Sequence, residues 1–481
     1  MLAQLEGRGE LQMSFISRRR PISALADAPH HHRLQPTLSW PHLVALGVGA
    51  IVGTGIYTLT GIGAGLAGPA VILSFVIAGA VCACAALAYA EMATAMPVAG
   101  SAYTYSYTVL GEGIAWIVGW SLILEYTVVC AAVSVGWAAY AVGVLEQAGV
   151  HLPAALLAGP DAGGVVNLPA IAVTLAVTGL LLAGTRESAT LNLILVGVKL
   201  AALTAFIVLA LPAFEPGHFQ PFAPFGFSAH EGPDGVRRGV MAAAALIFFA
   251  FYGFDAISTA AEEARNPARD LTIGIIGSMA ICTGLYMLVA AAALGASPFD
   301  VFSKSDEPLA FILRELQHPL AAALIAGAAV VALPTVIMVF MFGQSRIFFA
   351  MARDGLLPKA LARVSGRGVP VAVTVLTGVI AAVIAGLLPL KEIAELANAG
   401  TLLAFIATAV CMMVLRRREP HLMRPFKTPA WQVIGPLAVV GCVYLFASLP
   451  GATIARFLVW NAIGVIVYLA YGRRRSNLAT G

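Results

Sequence analysis

The segment Gly49-Ala50-Ile51-Val52-Gly53-Thr54-Gly55-Ile56-Tyr57 sets three glycines in the middle of an apolar run from about Leu43 to Ala67. A run of that length can cross a bilayer as a helix. Hydrocarbon offers no hydrogen bonds, so a Gly-x-Gly that loosens a spanning helix is tolerated only where the freed backbone groups face protein or a water-filled cavity. The same glycines also suit close helix packing, since Gly49-x-x-x-Gly53 and Gly61-x-x-x-Gly65 each put small residues on one face. A second interrupted run, Phe248-Phe249-Ala250-Phe251-Tyr252-Gly253-Phe254-Asp255, follows about 200 residues later. Paired interruptions in the two halves of an apolar chain are the sequence mark of a transport site.

With 60% hydrophobic and 11% charged residues among 481, and a mean hydropathy of +0.89, an ordinary soluble domain is excluded. An all-α polytopic membrane protein is expected, with the lipid bilayer as its surroundings. Apolar runs predict twelve spans, near 42–67, 70–95, 113–145, 168–184, 190–212, 239–262, 272–295, 319–350, 370–389, 394–415, 431–449 and 454–472. An even number puts both ends on one side. The tail, the 186 loop, 265–269, 346–367, Arg416 to Lys427 and Arg473 to Arg475 hold 21 of the 28 Lys and Arg, which makes that side cytoplasmic and the membrane the cytoplasmic (inner) one.

Ten spans divide into two fives, each opening on an interrupted helix. Five is odd, so the second half enters from the opposite face, as in an inverted repeat. The expected units are a tail (1–38), a first five-helix repeat (39–213), an extracytoplasmic loop (214–238), a second repeat (239–418), two extra C-terminal helices (419–472) and a short tail (473–481). The two extra spans suit scaffolding or association. In the first tail, Arg18-Arg19-Arg20 and His30-His31-His32 occur without a signal-peptide core, and Met13 is an alternative start.

Six cysteines lie within apolar runs and read as small buried hydrophobes, without a ligand cluster for a metal. No Walker loop, H-E-x-x-H or G-x-S-x-G pattern occurs, which disfavours direct ATP coupling and enzymatic hydrolysis. No cofactor, metal or nucleic-acid partner is expected.

Several stretches, taken in order, resemble the cationic amino acid transporter family of the amino acid, polyamine and organocation (APC) superfamily. They are Gly53-Thr54-Gly55-Ile56-Tyr57, Tyr89-Ala90-Glu91-Met92 with Pro97 and Gly100-Ser101-Ala102-Tyr103, and Gly119-Trp120 with Leu124-Glu125-Tyr126. Gly253-Phe254-Asp255 with Glu262 to Pro267, Gly343-Gln344-Ser345-Arg346 through Ala352-Arg353-Asp354-Gly355 to Pro358, and Arg424-Pro425-Phe426-Lys427-Thr428-Pro429 extend the match. The resemblance implies the LeuT-like 5+5 inverted repeat and a permease that moves L-amino acids by alternating access, coupled to protons. Exchange, uniport and non-transporting sensing stay open, as do cationic or neutral substrates and an accessory membrane peptide.

A zwitterion brings a carboxylate and an ammonium. Free N–H groups at the start of an outgoing half-helix suit the first, and freed carbonyls at the end of an incoming half suit the second. The resemblance implies Gly53, Thr54 and Gly55 for the carboxylate and the carbonyls of Ile51, Phe249, Ala250 and Tyr252 for the amine. Phe251 and Gly253 complete that stretch, although aromatic core packing also accounts for Phe249, Phe251 and Tyr252. Lys199 sits about nine residues into its span, on the order of 14 Å deep in a ~30 Å core. An ionisable group at that depth is a functional candidate. In related transporters such a lysine resembles a built-in replacement for a sodium ion between the first and eighth helices, so Lys199 is the expected proton-coupling residue, with a permanently charged structural lysine facing backbone carbonyls as the alternative. Glu125 is the other deep charge, with a pocket, gating or structural role. Glu91 and Asp255 suit structural or gating roles. Arg346, Arg353 and Asp354 close the cytoplasmic end of the eighth span as gating residues, with a solvated cluster as the alternative.

Overall fold

The computed structural model describes residues 18–20, 38–98, 100–183, 189–363 and 370–480. Met13, His30 to His32 and the turn at Arg186 lie outside the described residues. Helix α1 (Trp40–Ile51) has Pro41 in its first turn, where the missing N–H has no helical partner to lose. The run breaks at Val52 and Gly53, resumes as the single turn α2 (Thr54–Tyr57), steps at Thr58 and continues as α3 (Leu59–Ala67). Then come α4 (Val71–Ala95), α5 (Ser101–Val109), α6 (Glu112–Gln147), α7 (Leu168–Leu182) and α8 (Ala189–Ala210). Helix α5 is buried along its whole length, and its polar and aromatic alternation gave no sign of a helix.

The second half opens with a hairpin, β1 (His230–Glu231) and β2 (Arg237–Arg238), ahead of α9 (Val240–Ile247). A 3-10 turn at Phe248–Ala250 leads into the second break, and α10 (Asp255–Thr259) continues beyond it. Next are α11 (Pro267–Ala296), α12 (Phe299–Phe302), α13 (Pro308–Glu315), α14 (Pro319–Arg353), α15 (Val371–Leu387) and α16 (Leu390–Arg418). The last two apolar helices are α17 (Trp431–Ala447) and α18 (Gly451–Val467).

Among the described residues, eight helical stretches are long and apolar enough to cross a membrane, and α1, α7, α15 and α17 are shorter apolar helices. By length and composition α3 and α4 count together as one 37-residue stretch, where the sequence reading assigned α3 to the first span. Gly68 between them, at φ +65° and ψ −151°, leaves the helical conformation, so α3 and α4 are separate helices.

Two backbone stitches fix how the broken segments lie. Ahead of α1, the Leu38 N–H donates to the Glu263 carbonyl at 2.9 Å, and its carbonyl accepts from the Arg265 N–H at 2.8 Å. At the other end the Gly239 N–H donates to the Leu66 carbonyl at 2.9 Å. The entry of each segment therefore lies beside the exit of the other, and the two run antiparallel. Around them, α6 packs on α14 and α16, and α11 packs on α1 and α4. Helix α6 is apolar and buried nearly all round, as suits the centre of a bundle. Pro334 inside α14 cannot donate to Val330, and the Trp137 indole N–H fills that carbonyl at 2.8 Å.

Helices α17 and α18 expose Val433, Val440, Leu458 and Ile466, an arrangement that suits contact with lipid. Their shared corner also holds one end of the bundle. Arg237 donates to the Leu449 and Ala447 carbonyls at 2.9 and 3.3 Å, and Thr453 donates to Glu395 at 3.2 Å. At the opposite end Glu91, 1% exposed, accepts both forks of Arg416 at 2.6 Å and the Thr428 N–H at 2.8 Å. Arg424 adds an ion pair to Glu91 at 3.3 Å. A buried carboxylate needs such partners to offset its lost hydration.

Candidate functional site

The two breaks meet. A β-carbon on Gly55 would lie 2.4 Å from the Ala250 α-carbon, and one on Gly253 would lie 2.9 Å from the Ala50 carbonyl carbon. Gly253 also has φ +119°, a conformation that side chains strongly disfavour. Each break therefore presses a bare backbone segment against the other, which requires glycine at both points of contact. Gly53 differs: its backbone is extended, and a β-carbon there would meet Val336 only at an ordinary 3.7 Å.

At the first break the Val52 N–H still reaches the Val48 carbonyl at 2.8 Å, and the next backbone donor with a carbonyl partner is the Tyr57 N–H, which reaches Gly53 at 3.5 Å. Among the described residues the N–H groups of Gly53, Thr54, Gly55 and Ile56 have no intramolecular acceptor. The carbonyls flanking this run are occupied. Tyr286 donates to Ile51 at 2.8 Å, Tyr140 to Tyr57 at 2.7 Å, and the Lys199 ammonium to Gly49 at 2.9 Å. Ile51, expected as an amine ligand, thus already accepts a hydroxyl and has one lone pair left.

The second break shows the opposite pattern. Asn398 donates to the Ala245 and Leu246 carbonyls at 2.7 and 3.1 Å, before the break. The Asp255 carboxyl group accepts the Gly253 N–H at 3.1 Å and the Tyr126 hydroxyl at 3.1 Å, so the freed donor here is met by a side chain of the segment itself. Among the described residues the carbonyls of Phe249, Ala250, Phe251 and Tyr252 have no donor. One break therefore leaves donors open and the other leaves acceptors open, and the Gly55 to Ala250 contact brings them side by side. Unpaired buried backbone groups are rare in folded proteins, so two complementary sets at one crossing suit a ligand with opposite charges at its two ends.

Aromatic rings line the crossing. Phe249 lies edge-on to Tyr252 at 5.1 Å between centroids, and Tyr252 to Phe340 at 6.2 Å. Phe251 instead points into the core against Phe75 and Tyr286, at 6.0 and 5.4 Å. Glu125 is fully buried, its Cβ facing Gly400, and among the described residues neither carboxylate oxygen has a partner at hydrogen-bonding geometry. Its neighbour Thr401 spends its proton on Ala397 at 3.1 Å. The buried Tyr252 hydroxyl likewise has no partner among the described residues.

Lys199 lies on a stripe of α8 with Asn192, Val196 and Leu203, all buried, and Asn192 and Val196 pack on Gly49. Besides Gly49, its ammonium contacts the Thr335 hydroxyl of α14 at 3.5 Å. It thus joins α1 to α14. Of the expected gating residues, Arg346 forms an ion pair with Glu263 and stacks on Phe342 at 3.7 Å. Asp354 accepts from the Tyr103 hydroxyl at 2.9 Å and lies 3.4 Å from Arg20. Burial raises its carboxyl above the ordinary aspartate range, against the pull of Arg20. Arg353 forms no ion pair among the described residues; its carbonyl accepts from Asn477 at 2.8 Å. At the same end Glu112 accepts from Tyr468 and Ser476 at 2.7 and 2.5 Å.

Asn398, Tyr286, Tyr140 and Thr335 were not singled out from the sequence. Each acts on a backbone group or side chain far away in the chain, and nothing in its own segment marks it.

The family model described as "Amino acid permease" matches residues 38–470. The branched-chain amino acid permease BcaP of Bacillus subtilis is 45% identical over 441 residues, 91% of this chain and 93% of that protein. The methylthioribose transporter of the same organism is 38% identical, covering 97% of this chain and 100% of the relative. Human cationic amino acid transporter 4 is 33% identical over 447 residues, 89% of this chain and 69% of that protein.

Proposed function

Because this chain belongs to the amino acid permease family, we propose that this multi-pass membrane transporter binds its L-amino acid where the two breaks cross and carries it with a proton by alternating access. The open N–H groups of Gly53, Thr54 and Gly55 take the carboxylate, helped by the positive end of the short outgoing helix. The carbonyls of Phe249, Ala250 and Tyr252 take the ammonium. The observation that carries this assignment is the pairing of open donors at one break with open acceptors at the other. Twelve spans arranged as a LeuT-like inverted repeat, with both termini cytoplasmic, fit the antiparallel course of the broken segments and the Arg- and Lys-rich loops.

The substrate side chain meets Phe249, Tyr252 and Phe340, which favours an apolar, branched side chain such as leucine. The name of the Bacillus subtilis branched-chain permease points the same way. A second reading, a cationic substrate, rests on Glu125, whose buried carboxyl group, without a hydrogen-bond partner among the described residues, would suit a lysine or arginine head group. Replacing Glu125 with glutamine separates the two. If the carboxylate faces the side chain, the ratio of lysine to alanine uptake shifts about tenfold, as loss of a ~1.4 kcal/mol charge interaction would. An equal loss for both substrates assigns Glu125 to structure or gating.

Lys199 takes the coupling role, holding α1 to α14 when charged and releasing them when neutral, so that protonation has different free energies in two conformations. Arg346, Arg353 and Asp354 close the cytoplasmic side. The test is uptake by purified protein in liposomes, with leucine, alanine and lysine, with and without an imposed pH gradient or sodium. Accumulation that follows the pH gradient and ignores sodium is expected. Binding without uptake would indicate a sensor, and uptake that only equilibrates, or requires amino acid on the far side, would indicate uniport or exchange.

A further inference from the structure

Helix α16 holds both the approach to the second break and the break itself. Asn398, with no exposed surface, directs its amide nitrogen at the Ala245 and Leu246 carbonyls, 2.7 and 3.1 Å away in the last turn of α9. Two helical turns further on, Phe405 packs against Phe248 at 5.6 Å and Phe254 at 5.1 Å, ahead of the break and within it. Among the described residues the buried Asn398 side-chain oxygen has no partner. Burying an amide in that way is costly, so an apolar residue of similar size would suit the packing better. What such a residue would lack is the pair of donors to α9.

We propose that Asn398 is a positioning residue for the substrate amine. By occupying the Ala245 and Leu246 carbonyls from a neighbouring helix, it fixes where α9 stops, and so aims the next carbonyls, Phe249 to Tyr252, at the ammonium. This rests on the amine site assigned above. Hydrogen bonds to an ammonium depend steeply on direction and distance, so a small rotation of the last turn of α9 weakens that contact while leaving the N–H groups of the first break unmoved.

The test uses the full chain in liposomes, with leucine as substrate and two competitors. One is 3-methylbutylamine, which keeps the amine and the side chain; the other is 4-methylpentanoate, which keeps the carboxylate and the side chain. Asn398→Ala is expected to raise the KM for leucine and the inhibition constant of the amine about tenfold each, and to leave that of the carboxylate within about twofold. Asn398→Ser, which restores one donor, should fall between, and its readout does not depend on how much of the alanine variant folds. An unchanged KM, or equal rises for both competitors, would overturn the role of Asn398. If the wild-type protein bound 4-methylpentanoate as tightly as leucine, the amine site itself would fail.

Discussion

Lys199→Met is expected to abolish pH-driven accumulation while leaving the protein inserted and folded. One pH unit across the membrane is worth about 1.4 kcal/mol, so a transporter that moves one proton per substrate can accumulate up to about tenfold at equilibrium. In the variant that ratio should fall to about one, with uptake still indifferent to sodium. Methionine keeps most of the length that fills the space between α1 and α14 but cannot donate to Gly49 or change charge. Lys199→Ala should lose accumulation too and, unlike methionine, leave a cavity beside Gly49 and Thr335. A pH response equal to wild type in both variants would remove Lys199 from the coupling step and make Glu125 the next group to test.

The second large effect is at Gly55. Gly55→Val should abolish transport and leucine binding, and even Gly55→Ala should lose most of both, because the new β-carbon would fall 2.4 Å from the Ala250 α-carbon. That contact is with backbone, which cannot swing aside as a side-chain tip can, so the crossing itself must open. Gly53→Ala, only two residues away, should keep uptake within about twofold, since its β-carbon meets Val336 at 3.7 Å. Leucine binding measured on protein that runs as a single species in detergent separates these effects from misfolding. Equal losses at the two glycines would refute this account, and wild-type binding in Gly55→Val would detach the first break from the substrate.

The breaks themselves were legible in the sequence, because Gly53-Thr54-Gly55 and Tyr252-Gly253-Phe254-Asp255 interrupt runs that hydrocarbon would otherwise keep regular. Lys199 was legible for a related reason: a basic residue far inside an apolar span has few innocent explanations. The distinction between Gly53 and Gly55 was not, because it depends on which one faces Ala250, a residue nearly 200 positions away. The same holds for Tyr286, which already occupies the Ile51 carbonyl, and for Asp255, whose carboxylate fills the donor end of the second break. Local sequence reports that a helix will open but not which of the freed groups the rest of the fold then closes. Helix α5 was missed because Ser101 to Val109 is rich in tyrosine, serine and threonine, and its burial comes from neighbours rather than from an apolar pattern of its own.

The stitches between Leu38 and the Glu263 to Arg265 segment, and between Leu66 and Gly239, have a consequence for amide exchange. An ordinary helix frays from its ends inward, so its terminal amides exchange first and its central ones last. The two broken segments should invert that order. Their outer amides are held by each other, while Gly53 to Ile56 in the middle have no carbonyl to leave. Deuterium should therefore enter at the centre of the membrane before it enters at the rims, and bound leucine should slow exchange at that centre alone.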